Sequence, residues 1–137
     1  LEVVNMGYVI RQVESIFTIK RENINSAWEA LKQTFNNKKD MIHDASGFHY
    51  SFVDTDKVLN AESFEEAMKA IRWEVHSNMI TGDITSINFI GEKMGDDMCF
   101  FYAIAPYVED NSYIFLRGED NCFWNLHFKG NKIYVWM

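Results

Sequence analysis

The chain has 137 residues, of which 47% are hydrophobic and 15% aromatic, and this argues for one folded domain and against a disordered chain. Its formal net charge of −7 argues against general binding to nucleic acid, because an acidic surface repels phosphate. This acidity would suit binding to a basic partner or mimicry of nucleic-acid charge. The simpler explanation is that the negative charge keeps the protein soluble.

The cysteine content and the hydropathy pattern indicate a cytoplasmic protein. Cys99 and Cys122 are too few for a disulfide framework, and each lies in an apolar run, so we expect buried free thiols in a reducing compartment. No apolar run approaches the roughly 18 residues of a membrane span, and the first ten residues lack a secretory-signal pattern. We interpret residues 1–5 as a remnant of upstream sequence or a disordered segment, with Met6 as the natural start.

The first half of the chain predicts a strand, a helix and a second short strand. β-branched and aromatic residues fill 8–19, where Val13, Phe17 and Ile19 are expected on one side of a strand. Apolar residues then recur at helical spacing over about 22–36. Alternation of aromatic residues at 48, 50 and 52 predicts the second strand.

The middle of the chain contains clear helix and turn signals. Ser63 and Glu66 have the spacing of a capping box, so a helix is expected from there to about Arg72, followed by a strand from Trp73. A turn at 81–83 precedes the returning strand. Residues 96–108 have helical spacing interrupted by Pro106, and this favours a short helix over a strand.

The last 25 residues predict a three-stranded meander. Strands are expected at 113–117, 122–128 and 133–136, with turns at 118–121 and 130–131. The predicted fold is therefore a single α+β domain over 1–137. It has an antiparallel-rich sheet with two or three helices packed on one face, and it ends in this meander.

The predicted register gives the meander two apolar faces. The two-residue turn at 130–131 pairs Phe128 with Ile133 and Leu126 with Val135, and a four-residue turn at 118–121 places Phe115 opposite Trp124. That face is expected to be the core. The opposite face should carry Ile114, Leu116, Phe123, Asn125, His127, Tyr134 and Trp136.

This second face has three interpretations, because a solvent-facing sheet surface should be mostly polar. The helix near 96–108 could cover it, it could be a homodimer surface, or it could bind a partner or ligand. The assignment depends on register, since a bulge at either turn would exchange the faces.

Candidate catalytic and metal-binding residues are few. His43, Asp44 and His49 could supply metal ligands, but no H-x-x-x-H or cysteine pair supports a site, and we expect no metal and no cofactor. Glu119 and Asp120 lie together in a turn, where paired carboxylates could perform acid–base chemistry. Exposed turn carboxylates are more often simply solvated.

One stretch resembles a known family. The run A-P-Y-V-E-D-N-S-Y-I at 105–114, the G-E-D-N turn at 118–121 and Trp124 resemble small proteins of unknown function from bacteria and their phages or mobile elements. The opening at 7–11 is also similar, whereas Asn125 stands where the family often has Arg. The resemblance implies a cytoplasmic single domain and implies no activity.

The leading functional hypothesis is a non-enzymatic binding protein, an accessory factor of a bacterium, phage or mobile element. It would form a homodimer or bind a protein partner, with no nucleic acid and no membrane involved. One alternative is a small enzyme built from turn carboxylates and a histidine, and another is an acidic mimic that inhibits a basic protein. The candidate binding residues are Phe123, Asn125, His127, Tyr134, Trp136, Glu119 and Asp120.

Overall fold

A computed structural model describes residues 7–45 and 47–137, so the expectation for residues 1–5 lies outside the described residues. The predicted α+β class is confirmed, with helices against an antiparallel sheet. The strands are β1 (Tyr8–Ile16), β2 (Ile42–Asp44), β3 (Gly47–His49), β4 (Trp73–Ser77), β5 (Ile84–Phe89), β6 (Lys93–Met94), β7 (Tyr113–Gly118), β8 (Phe123–Lys129) and β9 (Lys132–Trp136). The α-helices are α1 (Arg21–Asn36), α2 (Thr55–Leu59), α3 (Phe64–Ala70) and α4 (Asp97–Ile104), with short 3-10 turns at Lys38–Asp40 and Ala105–Tyr107.

The main sheet has five strands in the order β6-β1-β7-β8-β9, and every neighbouring pair is antiparallel. Two separate hairpins, β2–β3 and β4–β5, complete the strand content of the described residues. Gln12 links the main sheet to the second hairpin, since its side-chain amide donates to the Ile87 carbonyl and accepts from the Phe89 N–H. The predicted three-stranded meander is confirmed as β7–β9.

The helices cover one face of the main sheet, which we call the inner face. Phe101 of α4 contacts the rings of Phe128 in β8 and Trp73 in β4, with centroids 6.1 and 4.9 Å away. Leu31 and Phe35 of α1 are buried in the same core. The short helix predicted near 96–108 therefore exists, and it lies on the inner face.

The helix α3 begins directly after its predicted cap, Ser63, and ends at Ala70, two residues before the predicted end. The Ser63 hydroxyl accepts a hydrogen bond from the Glu66 N–H at 3.0 Å, which satisfies one free donor of the first turn. Arg72 has a φ of 76°, and this left-handed residue turns the chain directly into β4.

The predicted register between β7 and β8 was wrong by one residue. The Asn121 N–H bonds to the Gly118 carbonyl, and Asn121 itself has a φ of 66°, so the turn contains an extra left-handed residue. Leu116 consequently lies opposite Trp124, and Ile114 lies opposite Leu126. Ile114 and Leu116, which were predicted for the second face, belong to the core. Tyr113 and Phe115, which were predicted for the core face, lie on the other face.

Three further expectations needed correction. Val13 does not share a side with Phe17, because it sits in a bulge of β1 and is 50% exposed. The second strand is only Gly47–His49, since Phe52 has a left-handed φ of 67° and lies on the surface. The short elements β2, β6 and α2 were not predicted, and the Asp54 side chain caps α2 by accepting a hydrogen bond from the Asp56 N–H.

Candidate functional site

The candidate site is the face of the main sheet opposite the helices, which we call the outer face. Residues directly opposite each other in an antiparallel pair share a face, so the register defines rows of neighbours across the strands. From β1 to β9 these rows are Arg11–Arg117–Phe123, then Glu14–Phe115–Asn125–Trp136, then Ile16–Tyr113–His127–Tyr134, and finally Lys129–Lys132.

The outer face exposes large apolar side chains. Ile16, Phe123, Tyr134 and Trp136 are 58%, 47%, 48% and 62% exposed. The expectation that the helix near 96–108 covers this face is wrong, because α4 packs against Phe128 on the inner face. Of the described residues, no helix lies over these side chains, so they form a continuous aromatic surface.

Contacts within the outer face hold several of its side chains in place. The rings of Phe115 and Phe123 stack with centroids 5.4 Å apart, and the Arg117 guanidinium lies 5.9 Å from the Phe123 centroid. The Tyr113 hydroxyl donates to the Glu14 carboxylate. The aromatic surface is therefore ordered before any partner arrives, and this lowers the entropy cost of binding.

One polar atom in the middle of the outer face has no partner. The buried Asn125 Oδ1 receives no hydrogen bond from any described residue. A buried acceptor without a donor is destabilising, and such atoms in native structures call for an explanation. Asn125 lies opposite Phe115 on one side and Trp136 on the other, and its Oδ1 is covered from solvent.

The charge of the outer face is opposite to that of the whole chain. It carries Arg11, Arg117, Lys129 and Lys132 and a single carboxylate, Glu14, in a protein of net charge −7. Arg11 lies directly opposite Arg117, and Lys129 directly opposite Lys132, which are repulsive arrangements. A negatively charged partner would relieve this repulsion.

His127 is central to the outer face but forms no catalytic pair. It lies opposite Tyr113 on one side and Tyr134 on the other. Within the described residues its ring makes no hydrogen bond to either tyrosine. A histidine in this position presents an aromatic ring and a hydrogen-bonding edge to a partner.

The side chains of Glu119 and Asp120 are both hydrogen-bonded to residues at the start of β1. The Glu119 carboxylate accepts a hydrogen bond from the Val9 N–H at 2.7 Å. Asp120 accepts one from the Tyr8 hydroxyl, and the Tyr8 ring stacks on Trp124 with centroids 5.4 Å apart. The two acids therefore fasten the start of β1 to the turn between β7 and β8.

The two acids and the histidine are not brought together. His127 lies four residues along β8 from Phe123, roughly 13 Å at the rise of a strand, and the turn is farther still. Asp120 and Tyr8 belong to the end of the inner face, because Tyr8 contacts Trp124. The geometry does not assemble these residues into one acid–base site.

The Tyr8–Asp120 contact has a measurable consequence for titration. The hydrogen bond to Asp120 raises the pKa of Tyr8 from 10.0 to about 12, and the same bond lowers the pKa of Asp120. We expect Asp120→Asn to return one tyrosine pKa towards 10.0, measured as the ultraviolet absorbance of tyrosinate during alkaline titration.

The Tyr8–Asp120 contact should also make the free energy of unfolding depend on pH. Because the pKa of Tyr8 is raised on folding, its contribution is complete below pH 10 and is lost as the pH rises towards 12. Because the pKa of Asp120 is lowered, its contribution is present above about pH 3.8 and is lost in more acidic solution. Glu62→Gln, an exposed change, is the control and should leave both titrations unaltered.

A buried ionic cluster at the start of α4 was missed by sequence reasoning. Asp97 is 1% exposed and binds the Arg72 guanidinium through both oxygens at 3.0 and 2.9 Å. It also accepts hydrogen bonds from the Trp73 indole and the Gly95 N–H. The only sequence signal for this cluster is the place of Asp96 and Asp97 directly before an apolar run.

This cluster is structural because both oxygens of the Asp97 carboxylate are fully bonded within the protein, although the buried Arg72 Nε has no partner among the described residues. Arg72 also donates to the Lys93 carbonyl and lies over the ring of Phe52, 5.0 Å from its centroid. Asp97 thereby connects α4 to the short junction between α3 and β4, where Arg72 lies. A buried carboxylate with this set of donors has no free lone pair directed at a ligand.

Other candidate chemistry is sparse in the described residues. In 7–45 and 47–137, no three histidine, cysteine or acidic side chains form a group that could hold a metal ion. His49 binds Asp44 at 3.0 Å, and this contact raises the pKa of His49. Cys99 and Cys122 are both free thiols, but the expectation that they are buried is wrong, since Cys99 is half-buried and Cys122 is exposed.

No helix in the described part of the chain combines the length and the apolar character needed to cross a membrane. Comparisons with protein-family models, with curated proteins and with solved structures find no match to this chain.

Proposed function

We propose that this protein is a non-enzymatic binding protein and that the outer face of its sheet receives an acidic segment of another protein. The observation that carries this proposal is the exposure of Phe123, Tyr134 and Trp136 on one ordered sheet face. Four basic side chains surround these rings while only one carboxylate does, so the preferred partner is negatively charged.

The residue types fit such a role. Tyrosine, tryptophan and arginine are the residues most enriched among those that dominate binding energy in protein interfaces. Tyr134 and Trp136 lie two apart on β9 and point to the same side, so both can contact one extended or helical segment. The acidic remainder of the chain would keep this face from binding nucleic acid in general.

The test is a selection of peptides from a random library on the immobilised protein, followed by measurement of the dissociation constant for the best peptide. We expect enriched peptides to combine Asp or Glu with apolar residues. The double substitution Tyr134→Ala with Trp136→Ala should weaken binding by at least about 30-fold, because a dominant aromatic contact contributes at least 2 kcal/mol. Both side chains are about half exposed, so the fold should persist.

Tyr102→Ala provides the matched control, because Tyr102 is an aromatic residue of α4, 55% exposed and away from the outer face. This variant should bind the selected peptide as the wild type does. The proposal is contradicted if no peptide is enriched, or if the selected peptide binds the Tyr134 and Trp136 double variant with unchanged affinity.

We also propose a cytoplasmic location and an origin among the small bacterial, phage and mobile-element proteins that the sequence resembles. The free and exposed Cys122 thiol supports the location, since such thiols persist in reducing compartments. The resemblance at 105–124 supports the origin.

A further inference from the structure

The two edges of the main sheet differ in how they are protected. At one edge, β6 has only two residues, Lys93 and Met94, and a short edge strand offers little for another chain to pair with. At the other edge, β9 has five residues and contains no proline or bulge. Its single charge is Lys132 at its start, so the rest of this edge lacks the usual protection.

The side chains of β9 are exposed on both faces of the sheet. Tyr134 and Trp136 on the outer face are 48% and 62% exposed, and Val135 on the inner face is 42% exposed. A solvent-facing edge strand should be polar on at least one side. Exposure of apolar side chains on both sides fits a strand that pairs with another strand.

The hydrogen-bond pattern identifies the free backbone groups of β9. A two-residue turn makes its flanking pair, Lys129 with Lys132, a hydrogen-bonded pair, and such pairs alternate along the ladder. Tyr134 and Trp136 therefore bond to β8. The N–H and C=O groups of Ile133 and Val135 point away from the sheet, and among the described residues no strand pairs with them.

We infer that β9 pairs with β9 of a second copy of this chain, antiparallel and about a two-fold axis at Tyr134. In this register Ile133 of each copy lies opposite Val135 of the other, and four hydrogen bonds form between the groups that point outwards. The inference goes beyond the proposed function, since it names the occupant of the β9 edge and leaves the outer face open.

Charge and side-chain chemistry agree with this register. Lys132 of one copy lies opposite Trp136 of the other, which permits a cation–π contact and keeps the two Lys132 side chains apart. Tyr134 lies opposite its own mate in a close, non-hydrogen-bonded pair. Packing two outer faces together would instead oppose like charges, so pairing at the edge is the favoured mode.

The size of the contact predicts a weak dimer. A strand of five residues pairs over about 17 Å, and this contact falls below the roughly 1,200 Å² of a standard interface. We therefore expect a reversible monomer–dimer equilibrium. It joins two outer faces side by side into one wider aromatic surface.

The first test measures molecular mass by sedimentation equilibrium from about 1 µM to about 1 mM, the range in which a weak complex dissociates. Wild type should change from monomer to dimer. Val135→Pro should remain a monomer, with dimerisation weakened at least about tenfold, because proline removes an outward N–H without touching a bond to β8. Val135→Thr keeps that N–H and should still dimerise.

The second test locates the axis by disulfide formation on a Cys122→Ser background. Tyr134→Cys should cross-link two copies under mild oxidation, because the paired Cα atoms would be about 4.5 Å apart. Lys132→Cys should not cross-link, since its mate would be roughly 13 Å away, beyond the reach of a disulfide.

A wild-type protein that stays monomeric at the highest concentration would overturn the inference, as would a cross-link at residue 132 in place of residue 134. A monomer whose outer face still binds the selected acidic peptide would refute the dimer alone and leave the proposed function standing. A dimer that binds no peptide would refute the proposed acidic partner and retain the pairing at β9.

Discussion

Substitution of Asp97 by Ala should lower the free energy of unfolding by about 3–5 kcal/mol, measured by urea denaturation. The substitution removes a 1%-exposed carboxylate and leaves the partly buried Arg72 guanidinium without its counter-ion. It also removes the acceptor for the Trp73 indole N–H. An unpaired charge and an unpaired donor in the same core are among the most destabilising changes that a single substitution can cause.

A double-mutant cycle separates the ion pair from the other contacts of Asp97. The double variant Arg72→Met with Asp97→Ala should lose less stability than the sum of the losses of the two single variants. Once one partner has been removed, removing the other no longer leaves an unpaired charge. Glu62→Ala, an exposed acid, is the matched control and should stay within about 0.5 kcal/mol of wild type. A wild-type urea midpoint for Asp97→Ala would refute the structural role assigned to this cluster.

The second large effect is expected at Gly118, which lies under the ring of Tyr8. A Cβ atom at residue 118 would lie 1.6 Å from the Tyr8 Oη and 2.2 Å from its Cζ, so alanine cannot fit unless the ring moves. Displacing the ring breaks the hydrogen bond to Asp120 and the stacking on Trp124. We expect Gly118→Ala to lower the free energy of unfolding by about 3 kcal/mol, the upper range for overpacking.

The companion experiment removes the obstructing ring. In a Tyr8→Ala background the same Gly118→Ala change should cost under about 1 kcal/mol, since the nearest atoms are then absent. Gly130→Ala tests the simple loss of a glycine, because a Cβ there meets nothing within 4 Å, although its φ of 60° still disfavours alanine. Equal costs of Gly118→Ala in both Tyr8 backgrounds would contradict this packing.

Much of the fold follows from local patterns. The spacing of Ala27, Leu31 and Phe35 predicted α1, and the serine cap predicted the start of α3. The alternation in β8 and β9 correctly placed Phe123, Asn125, His127, Tyr134 and Trp136 on one face. These features are set by residues close in sequence, where side-chain periodicity and capping dominate.

The errors arose where a single residue changes register or where contacts span the chain. Asn121 adds one left-handed residue to a turn and exchanges the faces of β7, so Ile114 became core and Phe115 became surface. The bulge at Val13 likewise shifts the register within β1 and exchanges the faces of the residues that follow it. The Asp97–Arg72 pair joins residues 25 apart, and no periodicity in the sequence reports such a contact.

A map of backbone amide chemical shifts during titration with the selected acidic peptide tests most directly whether the outer face is the binding surface. We predict shifts concentrated in β7, β8 and β9, at Phe123, His127, Tyr134 and Trp136, with α1 and α4 unaffected. Shifts concentrated on α1 or α4, with the outer face unchanged, would show that the aromatic sheet surface is not where this protein binds.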